Sequence, residues 1–316
     1  MMWRFLTKRY TVCILLILFG CSRNTTEQTQ TELPHSVNDS AIESSQESKI
    51  LKPIYAVVKR KVLMKNYFRY IDSVANNNLH SSVLNEYILV DANPWIVDSL
   101  QSKDYYRQKK KGVFVYDQSQ LTIFHAGDSL IIPDIASAAN SIGKFKSNRI
   151  VLNIPEYTLR VIAGNDTVLT CPVRIGQNAE AYLEYYQRNV NLRTPVGEGE
   201  IVNVRKKPKY IDLETGEEYE ETNRDDGRRT KMPIMPSLEP TINGILVGTL
   251  IHATTNPKSL GKAYSHGCIG TSEPDIWSIY YLCPPGTKVS FRYDLEIKGK
   301  GGKPIQLKDV YHRSAK

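Results

Sequence analysis

The chain is sparing with the residues that most often mark a site. It has five cysteines and six histidines in 316 residues, and no two cysteines form a C-x-x-C pair. A zinc centre wants several such groups at ligand spacing, and His252, His266 and Cys268 alone are a weak set, so no metal is expected. Basic residues outnumber acidic ones, 41 to 33, yet no aromatic-rich basic stripe accompanies them. Part of the excess lies in the first nine residues and in the segment Lys298–Lys316, which argues against nucleic acid as a partner. No internal repeat stands out, and a hydrophobic content of 41% is too high for a wholly disordered chain and ample for a sizeable core, in two units rather than one.

The N-terminus does carry a pattern. Arg4, Lys8 and Arg9 precede the apolar run Val12–Phe19, which is too short to span a bilayer comfortably and gives way to Gly20-Cys21. Residues 1–21 therefore read as an export signal. Its end resembles a bacterial lipoprotein cleavage site with Cys21 as the lipidated residue, although Phe19 is bulkier than usual; a retained membrane anchor is the alternative. Lipid on Cys21 would hold the protein at a membrane surface in the periplasmic cell envelope. Ser22 stands where many enterobacterial lipoproteins retained at the inner membrane carry aspartate, which favours the outer membrane. Residues 22–50, rich in Ser, Thr, Gln, Glu and Asn, cannot bury enough apolar surface to order themselves and read as a flexible tether. Such a tether averages roughly 30 Å end to end.

Residues 51–148 are expected to be mostly helical. Val58, Val62, Tyr67, Tyr70 and Val74 fall near helical spacing, Ser81-Ser82 would open a second helix through Val90, and Pro94 would start a third running into Tyr105–Lys111. After Gly112 the alternation in "VFVYD" and "LTIFHAGDSLIIPD" predicts strands. The second phrase resembles the closing strand of a lysin-motif peptidoglycan-binding module, whose opening half is not recognisable; a helical cap is the alternative. Residues 149–293 read as mainly β, with a hairpin turn at Gly164-Asn165-Asp166 and further strands in "RTPVGEGEIVNV" and "GILVGTLIHATT". The intervening stretch Arg205–Lys231 is too polar for core and too long for a simple turn, so it reads as a surface excursion or a lid. Residues 294–316 read as a peripheral basic tail, and the whole as α+β.

Three cysteines remain once Cys13 goes with the signal and Cys21 with the lipid. The number is odd, so at least one is free or pairs with another chain; Cys171 and Cys283 can bridge or serve as small buried hydrophobes, and the second is preferred. Cys268 stands in Ser265-His266-Gly267-Cys268, where Gly267 allows close backbone approach and a turn can aim consecutive N–H groups at one point. A nucleophilic thiol needs a base or a positive neighbour. His252, closing an apolar strand, is one candidate and His266 the other; a disulfide or a buried structural cysteine stays open on this ground alone.

"IHATTNPKSLGKAYSHGCIG", with "TPVGEGEI" and "CPVRIG" upstream, resembles the L,D-transpeptidase catalytic domain of the YkuD type over residues 149–293. The resemblance implies a β-rich, sandwich-like fold and an enzyme of peptidoglycan stem peptides, with an envelope protein as another conceivable acyl acceptor and no cofactor. It implies Cys268 as nucleophile, His252 as base and the Ala253 backbone carbonyl as the group orienting that histidine. The N–H groups of Gly267 and Cys268 would hold the oxyanion, with His266, while Ser265 and the His266 ring shape the groove. One departure stands out. After Cys-Ile the family usually carries Arg or Asn, and this chain has Gly270.

Overall fold

The structure, a computed structural model, describes residues 54–77 and 82–313, so the export segment, the tether and Ser81 lie outside the described residues. The first part does not open on a helix. Val58 and Val62 are buried around two short strands, β1 (Ile54–Val57) and β2 (Val62–Leu63), separated by the charged turn Lys59-Arg60-Lys61. Helix α1 starts only at Tyr67 and runs to Asn76. The helical spacing ahead of Tyr67 was a coincidence of β-branched residues that prefer extended backbone. Helix α2 (Glu86–Asp91) is capped by the Asn85 side chain, which accepts from the Ile88 N–H at 3.1 Å, and this places its start beyond the serines. Pro94 is the N-cap of α3 (Trp95–Ser102), and Asp104 caps α4 (Tyr105–Lys110).

The segment 113–117 is not a strand. Val113, Phe114 and Tyr116 are exposed, and Phe114 instead lies under the Arg228 guanidinium at 4.8 Å. The alternation was real, but a lone backbone hydrogen bond, from the Lys231 N–H to the Tyr116 carbonyl at 2.9 Å, does not make a ladder. The next phrase forms β3 (Thr122–Phe124), paired with β2, and β4 (Ser129–Ile132), antiparallel to β1. Helix α5 (Ile135–Ser147) leads into the larger sheet.

Three strands, β5 (Asn148–Asn153), β6 (Thr158–Ala163) and β7 (Asp166–Pro172), form an antiparallel meander, β6 and β7 joined through the turn at Gly164-Asn165. Strand β8 (Ile175–Gly176) and a hairpin of β9 (Glu180–Leu183) and β10 (Arg188–Asn191) follow. Strand β11 (Gly197–Arg205) is the longest of the sheet: its first half pairs with β19 (Lys288–Arg292) and its second, after a register shift between Ile201 and Asn203, with β14 (Ser237–Ile242). Strand β14 also pairs with β15 (Ile245–Leu246) and β16 (Ile251–Ala253), and β16 runs parallel to β18 (Ile269–Thr271). The main path is thus β18-β16-β14-β11-β19-β5-β6-β7, one mixed nine-stranded sheet with β15 beside it.

Helix α6 (Glu273–Leu282) fastens the first part to this sheet. Its Trp277, Tyr280 and Tyr281 are buried against Tyr67, Phe68 and Tyr87, with ring centroids 5.2–6.1 Å apart. The Tyr280 hydroxyl donates to the buried Glu86, and the Tyr67 and Tyr281 hydroxyls share a 2.6 Å hydrogen bond.

Two expectations about polar segments need correction. The excursion 205–231 is not wholly at the surface: it carries the hairpin of β12 (Glu221–Asn223) and β13 (Arg229–Lys231), and the intervening Arg224 side chain is fully buried in an ion pair with Glu273 of α6. Arg224 donates also to Gln118 and Thr230, so its polarity is satisfied internally rather than by water. The tail is largely exposed but is anchored near its end. After the hairpin of β20 (Glu296–Lys298) and β21 (Pro304–Gln306), Tyr311 is buried, its hydroxyl donating to the Gly176 carbonyl and accepting from the Thr194 N–H. Cys171 and Cys283 are free and buried; burial pushes the first up to about 12 and raises the second further.

Candidate active site

Strand β16 places His252 beside the core residue Ile251. Its parallel neighbour sets His252 opposite Gly270 and Ile251 opposite Ile269, both isoleucines being fully buried. Alternation along a strand then puts His252, Gly270 and, two residues before Gly270, Cys268 on the face away from those isoleucines. The half-buried Cys268 is a free thiol.

The imidazole is fixed. His252 Nδ1 lies 2.8 Å from the Ala253 carbonyl oxygen, and since a carbonyl only accepts, Nδ1 carries the proton and Nε2 keeps its lone pair. Burial, then the Arg174 guanidinium, push this histidine down to about 4, against the raising influence of the Ala253 carbonyl. Burial also raises the Cys268 thiol, opposed by the Leu250 N–H and the Arg174 and Arg205 charges. At neutral pH the resting groups are therefore a thiol and a neutral imidazole whose Nε2 lone pair is available.

The loop that ends at Cys268 is held by its carbonyls. Ser265 Oγ donates to the Cys268 carbonyl at 2.5 Å, and buried Thr194 Oγ1 donates to the Gly267 carbonyl at 3.1 Å while accepting from the Gly176 N–H at 2.8 Å. Gly267 has φ +105°, a conformation that side chains with a Cβ rarely adopt. Among the described residues the N–H groups of Gly267 and Cys268 have no acceptor. The His266 ring turns to the excursion, with Nε2 3.1 Å from Glu214 Oε1. Tyr185 donates its N–H to the Leu213 carbonyl in the same excursion, and the Tyr186 phenol is raised by burial and then by the charge of Cys268. Exposed Tyr219 and Tyr264 bear on Arg174, and exposed Tyr185 packs edge-on against Tyr186 at 5.0 Å. No cluster of three or more His, Cys, Asp or Glu that could hold a metal occurs among the described residues.

Arg174, Thr194 and Tyr186 were not singled out from sequence. Arg174 alone left a signal, as the one charge inside the otherwise apolar "CPVRIG".

Residues 147–290 match the YkuD family model, described as an L,D-transpeptidase catalytic domain. That segment belongs to the L,D-transpeptidase family. A Bacillus licheniformis protein assigned as the L,D-transpeptidase YkuD is 28% identical over 165 residues, which span 52% of this chain and 74% of that protein. Among solved structures, an L,D-transpeptidase of Xylanimonas cellulosilytica superposes with a TM-score of 0.34 at 14% identity, covering 60% of this chain and 78% of the other. The catalytic domain of the E. faecium L,D-transpeptidase, acylated by ertapenem, gives 0.31 at 16% identity over 46% of this chain and 97% of its own. The L,D-transpeptidase segment thus includes both His252 and Cys268 and leaves residues 54–146 outside it.

Proposed function

We propose that the protein is a cysteine-dependent L,D-transpeptidase of peptidoglycan stem peptides, exported by residues 1–21 and held by lipid on Cys21, through the tether 22–50, at the periplasmic face of a membrane, the outer membrane being favoured. The observation that carries the catalytic part is the fixed His252 tautomer: Nδ1–H is committed to the Ala253 carbonyl, and Nε2 is free on the face it shares with Cys268.

In this reading the Cys268 thiol gives its proton to His252 Nε2 as sulfur bonds to the carbonyl that joins the diamino acid at position three to the following D-amino acid. The carbonyl oxygen takes the negative charge and is held by the N–H groups of Gly267 and Cys268. Collapse breaks the C–N bond, the proton passes from His252 to the departing amine, and a thioester remains. An amine from another stem, or from a protein lysine, then attacks the thioester and regenerates the thiol; water in its place would make the protein a hydrolase. The chemistry calls on no cofactor. Ser265 holds the loop, and His266, tied to Glu214, shapes the groove. The sandwich-like packing expected of the fold belongs to this reading too, and draws support from one buried core that takes in Leu159 and Val161 of one half of the sheet and Ile251 and Ile269 of the other. The closing-strand phrase at 121–134 keeps a glycan-binding role for the N-terminal part within the same reading.

A non-catalytic peptidoglycan-binding lipoprotein is the rival, favoured by Gly270. Intact-mass spectrometry of residues 22–316 with a carbapenem and with tetrapeptide muropeptides separates the two. The enzyme gives a covalent adduct, absent in Cys268→Ala, and releases the terminal D-amino acid. A folded sample with a reactive thiol but neither adduct nor turnover is the binding protein.

A further inference from the structure

Arg174 follows β7 and forms a narrow antiparallel bridge with Gly270, its N–H donating to the Gly270 carbonyl at 2.8 Å and its carbonyl accepting from the Gly270 N–H at 3.0 Å. Gly270 is also the register partner of His252, so Arg174, Gly270 and His252 stand in a row, the first by an isolated bridge and the other two on paired strands, with Cys268 two residues before Gly270. The row works only because its middle member has no side chain. A Cβ on Gly270 would lie 2.5 Å from both Cγ and Nε of Arg174, so the arginine stem occupies the space above that glycine. Glycine at this position is therefore the condition for a guanidinium to arrive from the neighbouring segment.

Among the described residues that guanidinium has no counter-ion. Its Nε is buried with no hydrogen-bond partner, and no carboxylate pairs with Arg174 among the described residues. The groups whose charge bears on it are Cys268 and the phenols of Tyr219 and Tyr264. Glu239, the carboxylate that bears on Cys268, is already held by Arg205 at 3.1 Å. A partly desolvated cation left unpaired is costly unless a ligand completes it, and a planar guanidinium matches a carboxylate in two parallel hydrogen bonds.

We propose that Arg174 binds the free carboxylate of the D-amino acid that departs from the stem peptide, and that Gly270 is the residue that lets it do so. This rests on the L,D-transpeptidase reading of the same site. The carboxylate stands one carbon from the amine that leaves, so a cation beside the thiol is within its reach when the scissile carbonyl meets Cys268. The site would thereby select stems that end at position four with a free acid over those that are amidated there.

Calorimetric binding to the Cys268→Ala protein tests this without turnover, with a tetrapeptide stem as the free acid and as the C-terminal carboxamide. The free acid should bind about 30-fold or more tighter, as expected for a buried charge pair. In Cys268→Ala/Arg174→Gln the two peptides should bind within about threefold of one another, and Gly270→Ala, which displaces the arginine, should narrow the ratio likewise; thermal unfolding verifies that each variant is folded. Equal binding of acid and amide before Arg174 is changed, binding of neither, or an acid preference that survives Arg174→Gln would each overturn the proposal. Carbapenem adduct formation on the unsubstituted protein is read separately, so loss of the enzyme reading and loss of the Arg174 reading give different results.

Discussion

The environment of His252 keeps its imidazole neutral over an unusually wide range. With its imidazole pushed down to about 4 and its Nδ1–H committed to the Ala253 carbonyl, carbapenem acylation of Cys268 should hold its rate from about pH 8 down to about pH 5 and fall only as pH nears 4. A midpoint between 6 and 7 in the acylation profile would show the imidazole to be an ordinary one. The same depression has a stability consequence of fixed sign. Between about pH 4 and 6.5 the unfolded chain binds a proton that the folded protein refuses, so stability is intact above 6.5 and declines as pH falls. His252→Gln should make the unfolding free energy from urea titration less sensitive to pH in that window, by about 1 kcal/mol after allowing for the partial exposure of this half-buried residue.

Helix α6 is the element on which the site, the excursion and the N-terminal part converge. Its first residue, Glu273, receives hydrogen bonds from Arg224, from Gln118 and from the Tyr105 N–H, and Arg224 stacks on the Tyr105 ring at 4.6 Å. Removing one member leaves a buried charge uncompensated, so Arg224→Met should cost about 3–5 kcal/mol in urea unfolding, and adding Glu273→Leu should restore a large part of it. A loss below about 1 kcal/mol, or no recovery in the double variant, would mean that the network is incidental. The sequence hid this arrangement because each partner sits in a segment that looks solvated by its own composition. The loop from Ser265 to Cys268 was legible for the opposite reason: it is local, and its spacing is its geometry. Arg174 and Gly270 lie between these cases, since the glycine was noticed as a missing side chain while the arginine that fills its space comes from 96 positions earlier, a pairing only the sheet reveals. "VFVYD" and the polar tail misled because alternation and charge say nothing about whether a partner strand, or the floor beneath Tyr311, is at hand.

At the scale of the whole molecule, the L,D-transpeptidase segment is not a separable cassette. Trp277, Tyr280 and Tyr281 of α6 turn toward Tyr67, Phe68 and Tyr87, and the fragment 147–290 would leave that aromatic face uncovered and lose Tyr311 from the other side. Size-exclusion chromatography of that fragment should find it self-associating or unfolded, whereas 51–316 runs as a discrete species; a monodisperse fragment with the full thermal stability would contradict this. The order of the sheet carries one more implication, about time. Strand β19 lies between β11 and β5, with its neighbours starting at residues 197 and 148, so the middle of the sheet is the last of its strands to leave the ribosome. Until Val289 and Phe291 are in place the meander β5–β7 and the half that bears His252 and Cys268 have no shared backbone hydrogen bonds through the centre. A chain emerging N-terminus first therefore has His252 and Cys268 on a half-sheet that can pair without β19, tied to the meander by the Arg174–Gly270 bridge, and it is the middle of the sheet that stays open until a five-residue strand closes it.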